Sequence, residues 1–198
     1  GGRAFVMYGS GSAAAPLGPP VELLATPAPV AALVHAVPDL ALPQVLVASR
    51  TRGRLLTLAQ TAPRRFAAPL ERPIGFLPEA LGLADADDDG RADLVVLSAL
   101  GAELWTGAAD GSFTFGETIV GDDGSLDGLV LADLNDDGRP DVAASASTQD
   151  RVTIALNGAD VPFTPAPTAT ATATQPVTAT PTRAPLECAG DCDGDGAV

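Results

Sequence analysis

The chain has 198 residues with 25 acidic side chains, 11 arginines and no lysine, which gives a formal net charge of −14. Hydrophobic residues make up 46% of the chain and aromatic residues 4%, and both glycine and proline are frequent. This composition argues against nucleic-acid binding through a basic surface, because phosphate affinity comes from clustered Lys and Arg. The sequence also holds no uncharged apolar run of about 20 residues, so it predicts no membrane span.

Successive segments of the chain share one pattern of apolar runs, at residues 1–24, 28–77, 78–125 and 126–163. The last two contain nearly the same stretch 48 residues apart, LADADDDGRADLVV from Leu83 and LADLNDDGRPDVAA from Leu131. The first segment matches only the latter half of a unit. A repeat with a period near 48 residues therefore organises residues 1–163. The segment 28–77 keeps the apolar runs but has Ala36, Pro38, Leu40 and Gln44 where the later units have acidic residues.

Each full unit contains about four apolar runs separated by glycine, proline or Asp-Gly pairs. Short runs with this punctuation predict β-strands joined by turns, and Asp110-Gly111 and Asn157-Gly158 are typical hairpin-turn dipeptides. The pattern predicts an all-β fold, a partial β-propeller of about three and a half four-stranded antiparallel blades. Such a set cannot close a ring, so the outer faces of the end blades should stay exposed. We expect Trp105, Phe113 and Phe115 to pack between blades.

The pattern D-x-[DN]-x-D-G-x-x-D occurs in each of the last two units. Oxygens at positions 1, 3 and 5 of a tight loop converge, glycine at position 6 permits the turn, and the position 7 carbonyl and position 9 carboxylate complete a cage. Ca²⁺ takes about six to eight oxygens in such a cage, whereas Mg²⁺ prefers a small octahedral site with waters. An EF-hand would need Glu at position 12, where this chain has Val96 and Ala144, so position 9 must supply the last ligand. The predicted ligands are Asp85, Asp87, Asp89, the Arg91 carbonyl and Asp93 in the first loop, and Asp133, Asn135, Asp137, the Arg139 carbonyl and Asp141 in the second.

The alternative, that both loops are merely polar turns, is disfavoured because so many unneutralised carboxylates would repel one another. The two loops with the strands that follow, Asp93-Leu94-Val95-Val96 and Asp141-Val142-Ala143-Ala144, resemble the FG-GAP or VCBS-type repeats of integrin-alpha-like β-propellers. The resemblance covers residues 28–163 and, weakly, residues 1–24. It implies that each loop joins two strands of a blade and binds calcium. Closed propellers of that family have about seven blades, so the blade number here departs from the pattern, and no calcium is implied at residues 36–44.

A linker and a second motif follow the repeats. Residues 161–187 contain six prolines and eight threonines, which supply too little apolar bulk to offset the entropy of ordering. We predict a disordered, extended linker over residues 164–187, either a plain spacer or an O-glycosylated stalk.

Residues 188–198, CAGDCDGDGAV, resemble the first loop of a dockerin or related EF-hand module, and thrombospondin-like calcium repeats are similar. The resemblance implies a third, truncated calcium loop with Asp191, Asp193 and Asp195 as ligands. A cohesin domain is the implied partner if the module is complete in a longer protein. Cys188 and Cys192 either form a disulfide or stay as two free thiols, and without His they do not indicate zinc.

The sequence holds no catalytic constellation. His35 is the only histidine and ends an apolar run, where a structural role is expected rather than one in a Ser-His-Asp triad. We therefore expect a non-catalytic calcium-binding repeat protein that presents a propeller surface for adhesion to a protein or glycan. Two alternatives stay open: part of a dockerin-bearing carbohydrate-active enzyme, such as a polysaccharide lyase, and a lectin.

The linker and the calcium chemistry indicate an extracellular or cell-surface location. No signal peptide is visible in the sequence. Because the chain starts at Gly1 without methionine and stops at Val198 within a motif, we expect a fragment that lacks its natural N-terminus.

Overall fold

The structure, a computed structural model, describes residues 2–9, 17–75, 77–121, 126–158 and 164–165. These residues form an all-β fold of antiparallel sheets, two of them four-stranded meanders, which confirms the predicted fold class. Within the described part of the chain, no helix has the length and apolar character needed to cross a membrane. The strands are β1 (Gly2–Val6), β2 (Val21–Thr26), β3 (Pro29–His35), β4 (Gln44–Ser49), β5 (Arg54–Ala62), β6 (Arg65–Phe66), β7 (Leu70–Pro73), β8 (Pro78–Ala84), β9 (Asp93–Ser98), β10 (Gly101–Gly107), β11 (Phe113–Gly121), β12 (Gly128–Ala132), β13 (Asp141–Ala146), β14 (Arg151–Leu156) and β15 (Thr164–Pro165).

The strands assemble in chain order into four sheets. Sheet I pairs β1 with β2, and sheet II has the order β3-β4-β5-β6 with β7 also paired to β5. Sheet III has the order β8-β9-β10-β11, and sheet IV the order β12-β13-β14-β15. The last strand, Thr164–Pro165, comprises the first two residues of the predicted linker and pairs with Leu156 and Ala155 of β14. The predicted domain boundaries stay a prediction.

The sheets stack face to face, and the second strand of a sheet explains why. All six residues of β9 are buried, because its side chains alternate between two interfaces. Leu94 and Val96 face sheet II, in a core that they share with Leu46 of sheet II and Phe113 of sheet III. Val95 and Leu97 pack towards sheet IV with Val142, Ala144 and Ala146. A strand covered on both faces has a continuous apolar sequence, which is what the sequence shows for β4 and β9.

The predicted inter-blade aromatic residues behave differently from one another. Phe113 is 2% exposed and lies in the core between sheets II and III, and the partly buried Trp105 packs against this core. The prediction was wrong for Phe115, which is 49% exposed. This residue lies on the edge strand β11 and meets the Trp105 ring edge-on, with centroids 5.5 Å apart.

Connections at the two ends of the sheets differ in character. At one end, residues 36–43, 85–92 and 133–140 join the first and second strands of sheets II, III and IV. At the opposite end, the second and third strands are joined by residues 50–53, 99–100 and 147–150, so the length of this connection varies. A 3₁₀ turn, Ser147–Gln149, occupies the last of these. The predicted calcium loops are thus equivalent connections of neighbouring sheets.

Candidate metal centre

The two predicted calcium loops share an unusual backbone. Here loop one denotes residues 85–93 and loop two residues 133–141. Position 4 is left-handed in both, with φ of 64° at Asp88 and 61° at Asp136. The φ angle at position 6 is also positive in both loops, 83° at Gly90 and 87° at Gly138. Asp tolerates this conformation better than most residues and glycine adopts it without strain, so the sequence of the loop fits its turn.

In loop one, the side chains hold the backbone in a tight coil. The Asp85 carboxylate accepts the N–H of Asp89 at 3.1 Å and that of Gly90 at 2.8 Å. Asp87 Oδ1 accepts the Asp89 N–H at 3.2 Å, and Asp89 Oδ1 accepts the Arg91 N–H at 2.8 Å. Asp side chains commonly bond the backbone two residues on in turns of this kind. The coil turns the three carboxylates towards one another.

These carboxylates form a cluster that could hold a metal ion. One oxygen each from Asp85, Asp87 and Asp89 lies within 4.8 Å of the others, and Asp87 and Asp89 are exposed to solvent. The cluster offers only oxygen ligands, which suits a hard cation such as Ca²⁺. The position 4 side chain of Asp88 is also exposed. The chemistry of the donor set therefore fits calcium.

An arginine also approaches this cluster. Arg91 Nη1 donates to Asp89 Oδ2 at 3.0 Å, and its Nε lies 3.7 Å from Asp39 Oδ2 in the sheet II connection. The hydrogen bond and charge of Asp89 raise the pKa of Arg91, with further contributions from Asp39 and Asp87. Arg91 thus partly balances the cluster's negative charge and links it to the neighbouring sheet.

Asp93, predicted as the position 9 ligand, does not belong to the cluster of three. Its side chain is 1% exposed, and it accepts the Ala86 N–H at 2.9 Å through Oδ2 and the Gly107 N–H at 2.8 Å through Oδ1. Burial raises the pKa of Asp93, the two amide bonds oppose that rise, and the charges of Asp87 and Asp89 add to it. Each carboxylate oxygen can accept more than one partner, so ligation by Asp93 stays a prediction. Its structural role is to anchor the loop.

Loop two repeats the arrangement. Asp133 accepts the N–H of Asp137 at 3.2 Å and of Gly138 at 2.8 Å, and the amide bond from Gly138 leads the contributions that lower the pKa of Asp133. Asn135 Oδ1 accepts the Asp137 N–H at 3.1 Å, while its Nδ2 donates to Asp137 Oδ2 at 3.1 Å. The Arg139 N–H donates to Asp137 Oδ1 at 2.9 Å. Loop two therefore has the same coil with one carboxylate fewer.

The position 9 anchor is repeated as well. Asp141 is fully buried and accepts the N–H of Leu134 at 2.8 Å and that of Asn157 at 2.8 Å. Gly107 and Asn157, which supply the distant amides to Asp93 and Asp141, were not identified as site residues from the sequence. They lie 14 and 16 residues beyond their aspartates, and this unequal spacing hides their equivalence from a search at a fixed period of 48 residues. Their position at the end of the third strand is the signal that could have found them.

The equivalent connection of sheet II lacks the ligand set. Gln44, at the position of Asp93 and Asp141, is buried and donates through Nε2 to the Asp110 carbonyl at 3.4 Å. The expected absence of calcium at residues 36–44 stays a prediction. The predicted C-terminal ligands Asp191, Asp193 and Asp195, and the cysteines Cys188 and Cys192, lie outside the described residues.

The fold and the paired loops define an all-β repeat protein with acidic inter-strand loops. Comparison with protein families assigns the repeat: residues 85–144, from the first residue of loop one into β13, match the model of an FG-GAP-like repeat. Searches of curated proteins and of solved structures returned no significant match. An FG-GAP-like repeat suggests a β-propeller-type domain. The resemblance to an FG-GAP repeat is confirmed for these residues.

Proposed function

We propose that sheets I–IV are successive blades of a β-propeller-type domain, and that loops one and two each bind one Ca²⁺. The observation that carries this proposal is the repetition of one coil, with the same amide bonds to position 1, in equivalent connections of neighbouring sheets. Two unrelated polar turns would not share this set of bonds. The predicted C-terminal loop would be a third site of the same chemistry.

The residues that would hold each ion are those that line the coil. In loop one they are the Asp85, Asp87 and Asp89 carboxylates, with the Arg91 carbonyl and Asp93 as further candidates. In loop two Asp133, Asn135 and Asp137 take the same positions. A bound Ca²⁺ supplies positive charge among carboxylates that otherwise repel one another. The loop would then be rigid, and so would the end of the sheet stack that it belongs to.

The role we propose for the domain is non-catalytic. His35, the only histidine of the chain, is 2% exposed and packs on Phe113 with ring centroids 5.0 Å apart, which suits a core residue. We propose that the rigid blade surface binds a protein or glycan outside the cell or at its surface. Glycan-array binding without turnover would favour a lectin over an enzyme, and turnover would contradict the non-catalytic role.

Calcium titration of the intact chain tests the metal sites. In calorimetry the chain should bind at least two Ca²⁺, and Asp89→Ala and Asp137→Ala should each remove one of them. Thermal unfolding should shift upwards with Ca²⁺ in the wild type, because an ion that binds only the folded state stabilises it. The shift should be smaller in either variant.

Asp88→Asn and Asp136→Asn are matched controls. Each removes one negative charge from its loop at the solvent-facing position 4, and Asn tolerates the left-handed backbone there. Both controls should keep two bound ions. No calcium binding by the wild type, or equal losses in the control variants, would show that the loops are not the proposed sites.

A further inference from the structure

One buried side chain joins loop one to sheet IV. Asn157 follows β14 and is 3% exposed. Its Nδ2 donates to the Ala86 carbonyl at 2.7 Å, across 71 residues of sequence. Ala86 is position 2 of loop one, between the candidate ligands Asp85 and Asp87. The contact is therefore made with the backbone of the loop, between two candidate ligands.

The same residue is also bonded to loop two. The Asn157 backbone N–H donates to Asp141 Oδ1 at 2.8 Å, and the other oxygen of Asp141 accepts the Leu134 N–H. On the far side, the Ala86 N–H donates to Asp93 Oδ2 at 2.9 Å. A continuous chain of buried or partly buried hydrogen bonds thus runs from loop two to loop one. Its members, in order, are Leu134, Asp141, Asn157, Ala86 and Asp93.

Sheet III offers an internal comparison. Gly107 occupies the place of Asn157 and donates the same backbone N–H to Asp93, but it has no side chain to reach the preceding sheet. Between sheets II and III, a buried amide side chain of sheet II makes a contact instead: Gln44 donates to the Asp110 carbonyl at the longer distance of 3.4 Å. Anchoring of the position 9 carboxylate therefore does not require a side chain at this place. The Asn157 side chain therefore has a role other than anchoring Asp141, which its backbone N–H already does.

We propose that Asn157 is a positioning residue that couples the two calcium loops, so that filling one loop raises the affinity of the other. This inference rests on the proposed calcium sites. With Asp141 as its predicted position 9 ligand, an ion in loop two fixes Asp141 and through it Asn157. Asn157 in turn fixes the Ala86 carbonyl, which lies between two candidate ligands of loop one. The first ion to bind meets the entropy cost of ordering the residues that the two loops share. The second ion does not meet this cost again, so it binds more tightly, which is positive cooperativity. The coupling is reciprocal by linkage.

The test is calorimetric calcium titration of the full chain. Every protein carries Asp193→Ala, which silences the predicted C-terminal loop. Asp89→Ala leaves only loop two active and Asp137→Ala leaves only loop one, so each loop's affinity is measured alone. When both loops are intact, each should bind on the order of fivefold more tightly once the other is filled, the lower end of typical coupling.

Asn157→Gly is the matched variant, since it reproduces the arrangement at Gly107 and keeps the backbone N–H to Asp141. In this variant both ions should bind with no cooperativity. If Asn157→Gly does not fold, Asn157→Asp keeps the size of the side chain but has no donor for the Ala86 carbonyl. That variant should lose the coupling in the same way.

Hydrogen exchange gives a readout independent of affinity. In Asp89→Ala, where only loop two can fill, added Ca²⁺ should slow exchange of the Ala86 amide several-fold, and Asn157→Gly should abolish this slowing. Independent sites in the wild type, or cooperativity that survives both Asn157 variants, would overturn the inference while leaving the calcium sites intact. Calcium binding at fewer than two loops would overturn the proposed function and the coupling together.

Discussion

The buried carboxylate of Asp93 carries more of the local structure than its place in a ligand pattern indicates. It satisfies two backbone amides from different parts of the chain, Ala86 in loop one and Gly107 at the end of β10. Burial of this charge raises its pKa, so the fold holds a carboxylate in a setting that disfavours ionisation. The two amide bonds are what make this setting tolerable.

Asp93→Ala should lower the free energy of unfolding by about 3 kcal/mol even without calcium, because it leaves two buried amides without an acceptor. Urea unfolding in the presence of a chelator measures this. The exposed neighbour variant Asp88→Asn should change stability by less than about 0.5 kcal/mol. A loss for Asp93→Ala no greater than that of the control would contradict the anchoring role.

His35 should make stability depend on pH. Burial lowers its pKa, whereas in the unfolded chain it titrates near about 6.5. Below that pH the unfolded state binds more protons, so the free energy of unfolding should fall as pH drops from about 6.5 towards the lowered folded value. His35→Phe keeps an aromatic ring beside Phe113 and should flatten this dependence between about pH 7 and 5. Urea unfolding across that range is the measurement, and equal pH profiles for both proteins would contradict it.

At the scale of elements, apolar runs and turn residues predicted most strands because each strand depends on its own sequence. Leu94 to Leu97 form a run that must be buried on both faces, and the Asp-Gly pairs fix where chains turn. The candidate ligands of the two loops were identifiable for the same reason, since five positions within one turn determine the coil. Local pattern thus determines most of the fold and the candidate site.

The rest depends on how sheets stack. The Asn157 contact with Ala86 joins residues of neighbouring sheets, and no local spacing predicts it. Phe113 and Phe115 lie on the same edge strand, yet Phe113 is 2% exposed and Phe115 49%, and the sequence shows only two aromatic residues near a turn. Contacts of this kind require the register and order of the sheets to be known.

The end of β10 is packed against loop one so closely that only glycine fits. A Cβ at Gly107 would lie 2.3 Å from the Ala92 carbonyl oxygen, a backbone atom that cannot move aside as the end of a flexible side chain would. Gly107→Ala should therefore destabilise the chain by about 2 kcal/mol or more. Gly9→Ala is the control, since no atom lies within 4 Å of a Cβ there. Thermal unfolding compares the two, and similar midpoints would contradict the close approach.

For the whole molecule, the acidity is concentrated rather than spread. Twelve of the 25 acidic side chains lie in the motif residues 85–93, 133–141 and 191–195, together with two arginines, so these loops carry −10 of the formal net charge of −14. The remainder of the chain carries only −4. Charges packed this closely repel one another within the screening length of salt solutions. Among the described residues, the negative potential is therefore concentrated at the end of the sheets that holds loops one and two.

The variable connections at the opposite end of the sheets have a practical use. Residues 147–150 are all exposed, and the equivalent connection in sheet III needs only residues 99–100. The scaffold thus accepts loops of different length there while the acidic ends keep one fixed geometry. A peptide epitope or affinity tag inserted after Gln149 would be displayed away from the acidic face. This connection is a suitable graft position, because its length already differs between the sheets of the protein.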